Sequence, residues 1–452
     1  MAEVFPLEDD TMEFASNFST NTSFEAPPFR IFSQRNLKDL DYIERLTEEQ
    51  RFAVRVVAQV LPFRVNQYVV DNLIDWEQVP DDPIFRLVFP QPEMLAPEHF
   101  SQIAELLKAD ADKAKIRQAV EAIQLELNPH PAGQTTLNVP RVGNEIVEGA
   151  QHKYQETLLF FPSQGQTCHT YCTFCFRWPQ FVENKEHRIS SREVATLHEY
   201  LESHSEISDL LITGGDPMVM KTTRLADYVR PLVEAPFQHI QTIRFGTKAL
   251  TFWPYRFVTD PDADELLELF ASLVQQGKHV ALMAHFEHWR ELQPQIVHEA
   301  VRRILQTGAV IRTQAPVLRH INDDADVWAT MWREQVRMGM VPYYMFVERD
   351  TGAKRYFELP LERTWNIYRD ALQQVSGLAR TARGPSMSAM PGKVEVQGVS
   401  EIHGEKVFVL RLIQARNPDW VQRPFFAKYD PDATWLNQLT PAFGAEKFFF
   451  EE

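Results

Sequence analysis

Apolar residues recur at helical spacing between positions 36 and 61: Leu40, Ile43, Leu46, Phe52, Val56 and Val60. Within that stretch Thr47-Glu48-Glu49-Gln50 has the form of a capping box, so the pattern predicts two helices there. Asp81, Asp82 and Pro83 mark a turn before the apolar run 84–89, a further helical pattern covers 97–125, and 128–133 (Asn-Pro-His-Pro-Ala-Gly) reads as a loop. From position 157 the pattern changes. Short apolar runs at 157–162, 209–213, 242–246, 279–285, 310–315 and 341–347 alternate with amphipathic stretches near 190–204, 222–234, 262–276, 292–307 and 325–338, and a last helix follows near 361–374. Six β/α units in succession imply parallel strands joined by right-handed crossovers. After Gly384 the runs 393–399 and 406–413 form a hairpin pattern with His403-Gly404 at its turn. The last thirty residues are rich in Phe, Trp and Pro, and Phe448-Phe449-Phe450 is expected to pack on the core or on a second subunit.

The predicted fold is therefore α/β: a partial (β/α)6 barrel, with an N-terminal helical extension and a C-terminal β-containing segment. The divisions read from the pattern are an acidic, Ser/Thr/Asn-rich mobile tail at 1–26, a helical region at 27–150, the partial barrel at 151–380 and a C-terminal segment at 381–452. In such folds the site lies at the C-terminal ends of the strands. The formal net charge of -16 argues against nonspecific binding to nucleic acid or to an anionic membrane. No basic segment followed by an apolar run opens the chain, and no run approaches membrane-helix length. The acceptor patterns at Asn17 and Asn21 carry no weight without a secretion signal.

All three cysteines of the 452 residues fall in Cys168-His169-Thr170-Tyr171-Cys172-Thr173-Phe174-Cys175, directly after the first barrel strand. Their spacing points away from a disulfide framework and toward a reducing cytoplasm. Thiolates suit zinc or an iron–sulfur cluster. A zinc-stabilised binding protein with His169 as fourth ligand is one reading, although structural zinc sites usually split their ligands into two pairs. A four-iron cluster usually takes four thiolates. With three, one iron stays open to a small molecule, and in this the stretch resembles the radical S-adenosylmethionine (SAM) enzymes. That resemblance implies that SAM chelates the open iron and that its reductive cleavage yields a hydrogen-abstracting radical. It also places Phe174 near the adenine. At the end of the second strand, Thr213-Gly214-Gly215-Asp216-Pro217 lets backbone approach a ligand closely. The resemblance implies that this segment holds the SAM amino group, with Asp216 as acceptor.

Further segments narrow the resemblance. His152-Lys153-Tyr154, 168–177, 243–248 (Ile-Arg-Phe-Gly-Thr-Lys), 285–288 (His-Phe-Glu-His), 314–324, Pro342-Tyr343-Tyr344 and Pro391-Gly392-Lys393 occur in the order found in the lysine 2,3-aminomutase family. The likeness runs from about residue 45 to 430. It implies pyridoxal 5′-phosphate (PLP) beside the cluster and SAM, and migration of an amino group from the α- to the β-carbon of an amino acid. It assigns Lys393 to PLP, Lys153 and Tyr154 to its surroundings, Arg177 to the substrate α-carboxylate and Gln314 to SAM. An amine nucleophile and a bidentate guanidinium suit these tasks. Thr157 replaces a second family arginine, and only Gly392 remains of a glycine run before the lysine.

Where lysine-acting members carry two aspartates for the distal ammonium, the alignment places Arg349 and Ser386. An arginine repels an ammonium and attracts a carboxylate, so the expected substrate is an acidic or neutral polar amino acid. Glu348 or Asp350 restores an anionic pocket if the register slips by one. The resemblance further implies a flavodoxin- or ferredoxin-type electron donor and a homo-oligomer. The altered glycine run and Thr157 keep open a radical SAM enzyme that abstracts hydrogen without PLP.

Overall fold

A computed structural model describes residues 24–128, 137–143, 145–182 and 194–451. Most of the 1–26 tail, most of the 128–133 loop and the start of the 190–204 helix lie outside the described residues. An eleven-stranded sheet dominates the chain, with its strands in sequence order. They are β1 (Ala150–Tyr154), β2 (Thr157–Phe160), β3 (Asp209–Ile212), β4 (Thr242–Thr247), β5 (His279–His285), β6 (Val310–Val317), β7 (Val341–Val347), β8 (Arg383–Ser388), β9 (Gly392–Ile402), β10 (Glu405–Ala415) and β11 (Pro424–Lys428). Strands β2 to β8 are parallel, and β1 and β9 to β11 are antiparallel to their neighbours. The six runs read from the sequence are β2 to β7. A seventh parallel strand, β8, was not foreseen, because Arg383-Gly384-Pro385-Ser386 carries turn residues rather than a β pattern.

Side-chain alternation sets the two faces. On β4, Ile243, Phe245 and Thr247 are buried while Arg244 and Gly246 between them are half-buried. Ile243 and Phe245 join Leu210, Ile212, Val280 and Leu282 of neighbouring strands in the main core beneath the helices. The other set faces the cavity described below.

The N-terminal region belongs to that same core through Val56, Val60, Phe85 and Ile103. The Thr47 capping box is present, with Thr47 Oγ1 accepting from Gln50 N at 3.1 Å, and it opens the helix Glu48–Val60. The second expected helix is replaced by two single 3-10 turns, Leu37–Asp39 and Ile43–Arg45, because Leu40 and Leu46 turn extended after them. Residues 97–125 divide into Pro97–Lys108 and Lys113–Glu126, with Asp110 between them at φ 47°. The run after Asp82 is the helix Pro83–Val88, capped by the Asp82 carboxylate on Phe85 N at 2.7 Å. The hairpin turns at His403 and Gly404, both with positive φ. Phe448 and Phe450 are buried against Phe425 in a second core formed by the C-terminal strands. Among the described residues no helix is long and apolar enough to cross a membrane.

Candidate active site

Alternate residues of five parallel strands line one cavity of about 280 Å³: Leu211 and Thr213, Arg244 and Gly246, Met283 and His285, Gln314 and Pro316, Tyr344 and Phe346. The cysteine loop after β2, the residues just past β7, and Ser388 and Lys393 complete the wall. The cavity thus lies toward the C-terminal ends of the parallel strands.

The cysteine loop has little regular structure and is held by its surroundings. Tyr171 N donates to Arg64 O at 2.8 Å and Thr173 N to Leu87 O at 2.9 Å. Arg64 Nη1 donates to Thr167 Oγ1 at 2.6 Å, and Asn66 N to Thr170 Oγ1 at 3.1 Å. The N-terminal helical region is therefore the scaffold of the loop, a role the apolar pattern gave no sign of. From the other side Asp216 N donates to Thr167 O at 2.8 Å, and a Cβ on Gly215 would stand 2.4 Å from that oxygen. Glycine is required there by close approach rather than by a turn.

Cys168, Cys172 and Cys175 are free and all line the cavity. Burial raises all three thiols, Cys175 to about 11. Such groups give up their protons to a metal, which supplies the charge they lack. Among the described residues no three His, Cys, Asp or Glu groups gather to hold a single ion. His169 does not line the cavity: it is buried against Phe29, and burial lowers it to about 3. With His169 turned away from the three thiols, the fourth ligand of the zinc reading does not share their wall.

Phe174, Arg177, Thr213, Gly214, Gly215, Gln314, Arg349 and Lys393 share this cavity with the cysteines. Lys393 Nζ lies 3.9 Å from the centre of the Tyr344 ring. Burial, helped by Arg244, Arg383 and Lys153, holds its amine well below the usual lysine range, a shift toward the form a nucleophile needs. The Arg177 guanidinium lies over Phe161 at 4.6 Å and Phe176 at 5.0 Å, and burial lowers it to about 10. Gln314 Nε2 and His285 Nε2 are 2.9 Å apart. Arg349 stacks on Phe176 at 5.3 Å, and its Nε has no hydrogen-bond partner among the described residues, reaching Asp350 Oδ1 only as an ion pair at 3.8 Å. Glu348 also lines the cavity, with its carboxyl strongly raised by burial. Asp350 does not line it.

Four expected residues lie off the wall. The Asp216 carboxylate is buried and accepts from Thr247 Oγ1 at 2.7 Å, Met218 N at 2.9 Å and Lys248 N at 2.9 Å, so it ties β3 to β4 rather than facing the cavity. Ser386 is fully buried, and Ser388, two residues on, takes the place at the wall. Lys153 donates to Ala389 O, and its neighbour Tyr154 lies beside it at the end of β1. Lys248 had been noted only as part of a segment. It is buried between Glu287 and Glu291, with Nζ 2.7 Å from Glu291 Oε1, and forms the wall beside Cys172.

A cavity so built at the strand ends of a parallel sheet lies where open α/β folds bind their ligands. No family model matches the chain. A protein of Aquifex aeolicus provisionally named L-lysine 2,3-aminomutase is 31% identical over 402 residues, which cover 89% of this chain and 94% of that one. The chain belongs to the lysine 2,3-aminomutase family. L-lysine 2,3-aminomutase of Escherichia coli is 27% identical over 52% of this chain and 64% of its own. Glutamate 2,3-aminomutase of Clostridioides difficile is 26% identical over 47% of each. Among solved structures, Streptococcus suis SuiB bound to S-adenosylmethionine overlaps 61% of this chain and 57% of its own, with a TM-score of 0.33 and 10% identity, too low a likeness to carry weight.

Proposed function

We propose that this protein is a radical SAM, PLP-dependent aminomutase that moves the α-amino group of an amino acid to its β-carbon. The observation that carries this is the meeting of three free thiols, Arg177 and Lys393 on the wall of one cavity. Cys168, Cys172 and Cys175 would hold a four-iron cluster, Gly214, Gly215 and Gln314 would contact SAM, and Lys393 would take PLP. When bound, the cluster with SAM supplies a hydrogen-abstracting radical, and PLP carries the amino group. The chain's own contribution is positional. Arg177 binds the α-carboxylate by two parallel bonds, its orientation set by the rings on which it lies. The aromatic and aliphatic wall of Phe174, Phe176, Phe252 and Val347 excludes water from reacting carbon. The open sheet is read as a partial barrel around these groups.

The substrate is an acidic or neutral polar amino acid. Arg349, buried at the wall with no hydrogen bond to its Nε among the described residues and Asp350 no nearer than 3.8 Å, favours a side-chain acceptor. Glu348 beside it is held toward its neutral form by burial, and its Oε1, without a hydrogen-bond partner among the described residues, would meet a donor on the substrate, as an amide side chain offers. The expected setting is a reducing cytoplasm, with a flavodoxin- or ferredoxin-type donor and a second copy of the chain as partners. The test is anaerobic turnover of glutamate, aspartate, glutamine and lysine by reconstituted protein with SAM, followed for 5′-deoxyadenosine and for β-amino acids. Preferred formation of a β-amino acid from glutamate, aspartate or glutamine supports the reading. Turnover of lysine alone refutes the substrate assignment. 5′-Deoxyadenosine without any β-amino acid moves the protein to hydrogen abstraction on another substrate.

A further inference from the structure

Glu348 and Arg349 directly follow β7, and both line the cavity that holds Arg177 and Lys393. Glu348 is only 4% exposed, and its Oε1 has no hydrogen-bond partner among the described residues. Burial first, then the Glu287 and Asp350 carboxylates, push its carboxyl strongly up, and Arg349 offsets this only in part. Oε1 accepts in either protonation state, because a neutral carboxyl keeps its carbonyl oxygen. What Glu348 lacks is therefore a donor.

Arg349 has the opposite need. Its charge is matched, since Asp350 Oδ1 pairs with Nε at 3.8 Å, and its guanidinium is held over Phe176 at 5.3 Å and Trp435 at 5.9 Å. Its hydrogen bonding is not matched, since Nε has no hydrogen-bond partner among the described residues. It lacks an acceptor, and a second full negative charge is not required of that acceptor. A substrate carboxylate would accept from Arg349 but brings no N–H to Glu348, and an ionised Glu348 repels it. A substrate ammonium would donate to Glu348 but is repelled by Arg349. A primary carboxamide carries a carbonyl acceptor and two N–H donors on one planar group and answers both needs. Arg177, the residue read as holding the α-carboxylate, lies over the same Phe176 ring at 5.0 Å, so one ring positions the guanidiniums at both ends of the site.

We propose that Glu348 and Arg349 are a recognition pair for a primary carboxamide, so that the substrate is glutamine or asparagine rather than the corresponding acid. Arg349 donates to the amide oxygen, and Glu348 Oε1 accepts from the amide N–H. The inference rests on the reading that an amino acid occupies this cavity with its α-carboxylate on Arg177.

Full-length protein reconstituted anaerobically with iron, sulfide and PLP is titrated by calorimetry with L-glutamine, L-asparagine, L-glutamate, L-aspartate and L-lysine, and β-amino acids are then measured with SAM present. The better amide is expected to bind about 10-fold or more tightly than its acid. Glu348→Gln keeps the shape and can turn an N–H toward a carboxylate, so there the acid should gain and the ratio should fall about 10-fold, with SAM binding unchanged. Glutamate, aspartate or lysine binding the wild type as tightly as the better amide would overturn the proposal, whether or not a variant keeps its cluster. So would an unchanged ratio in Glu348→Gln. A β-amino acid formed mainly from glutamate or aspartate would overturn the carboxamide and leave the aminomutase reading standing. Tight amide binding without any β-amino acid would leave the pair standing and refute the aminomutase. Binding of none of the five would refute both.

Discussion

The contact between Gly215 and Thr167 allows a quantitative prediction. In Gly215→Ala the new Cβ would lie 2.4 Å from Thr167 O, 2.5 Å from Thr167 N and 2.7 Å from Thr167 C. These are backbone atoms, so no side chain can swing away. To reach ordinary contact the segment must withdraw by about 1 Å. The hydrogen bond from Asp216 N to Thr167 O, now 2.8 Å, would then be lost. Overpacking costs about 1–3 kcal/mol and a lost buried hydrogen bond about 1 kcal/mol, so the total is about 2–4 kcal/mol. Cys168 follows Thr167 directly, and a shift of this size exceeds the roughly 0.5 Å within which a site must be held. Gly215→Ala should therefore lower the urea midpoint and reduce the iron and sulfide retained after anaerobic reconstitution several-fold. Gly377→Ala, whose Cβ would meet nothing within 4 Å, should leave both unchanged. Full iron content and an unshifted midpoint in Gly215→Ala would refute the claim that this contact positions the cysteine loop.

Arg349→Ala should lower kcat/KM for an acidic amino acid by about 10²- to 10³-fold, the factor expected when one partner of a buried charge pair is removed; steady-state kinetics on glutamate and lysine would check it. Lys248→Met leaves Glu287 and Glu291 buried without their cation and should cost about 3–5 kcal/mol in urea unfolding, with Lys248→Met/Glu291→Gln recovering part. The stability of protein free of PLP should rise with pH above about 7. An unfolded lysine keeps its proton to about 10.5, whereas Lys153 loses it near 7, so over this window the unfolded state binds more protons and alkali favours the folded state. One such group contributes at most about 1.4 kcal/mol per pH unit. Thermal unfolding of Lys153→Met between pH 7 and 9 should show a flatter slope than the wild type.

The parallel strands were legible because each is an apolar run of β-branched and aromatic residues bounded by turn residues, and the helices between them keep a clear 3.6-residue period. The cysteine spacing and Gly214-Gly215 could be read because their chemistry depends on neighbours in the chain. What could not be read depends on contacts between distant segments. β8 pairs with β7 through Phe346 and Ser386 despite its glycine and proline. The assignment of Ser386 rested on counting along the chain, and the wall position fell to Ser388, on the same face two residues on. Asp216 looked like a ligand group by its place after two glycines, but Thr247 and two backbone amides from other segments claim it. Arg64 and Asn66 carry no local signature, since each matters only through the segment it meets across the fold.

The central claim is that Lys393, buried on the wall that holds the three thiols, is the site of PLP. Protein reconstituted anaerobically with iron and sulfide, incubated with PLP and reduced with borohydride should carry one phosphopyridoxyl group, located on Lys393 by peptide mass spectrometry and absent in Lys393→Ala. An intact cluster with no label on Lys393, or the same labelling in Lys393→Ala, would contradict it.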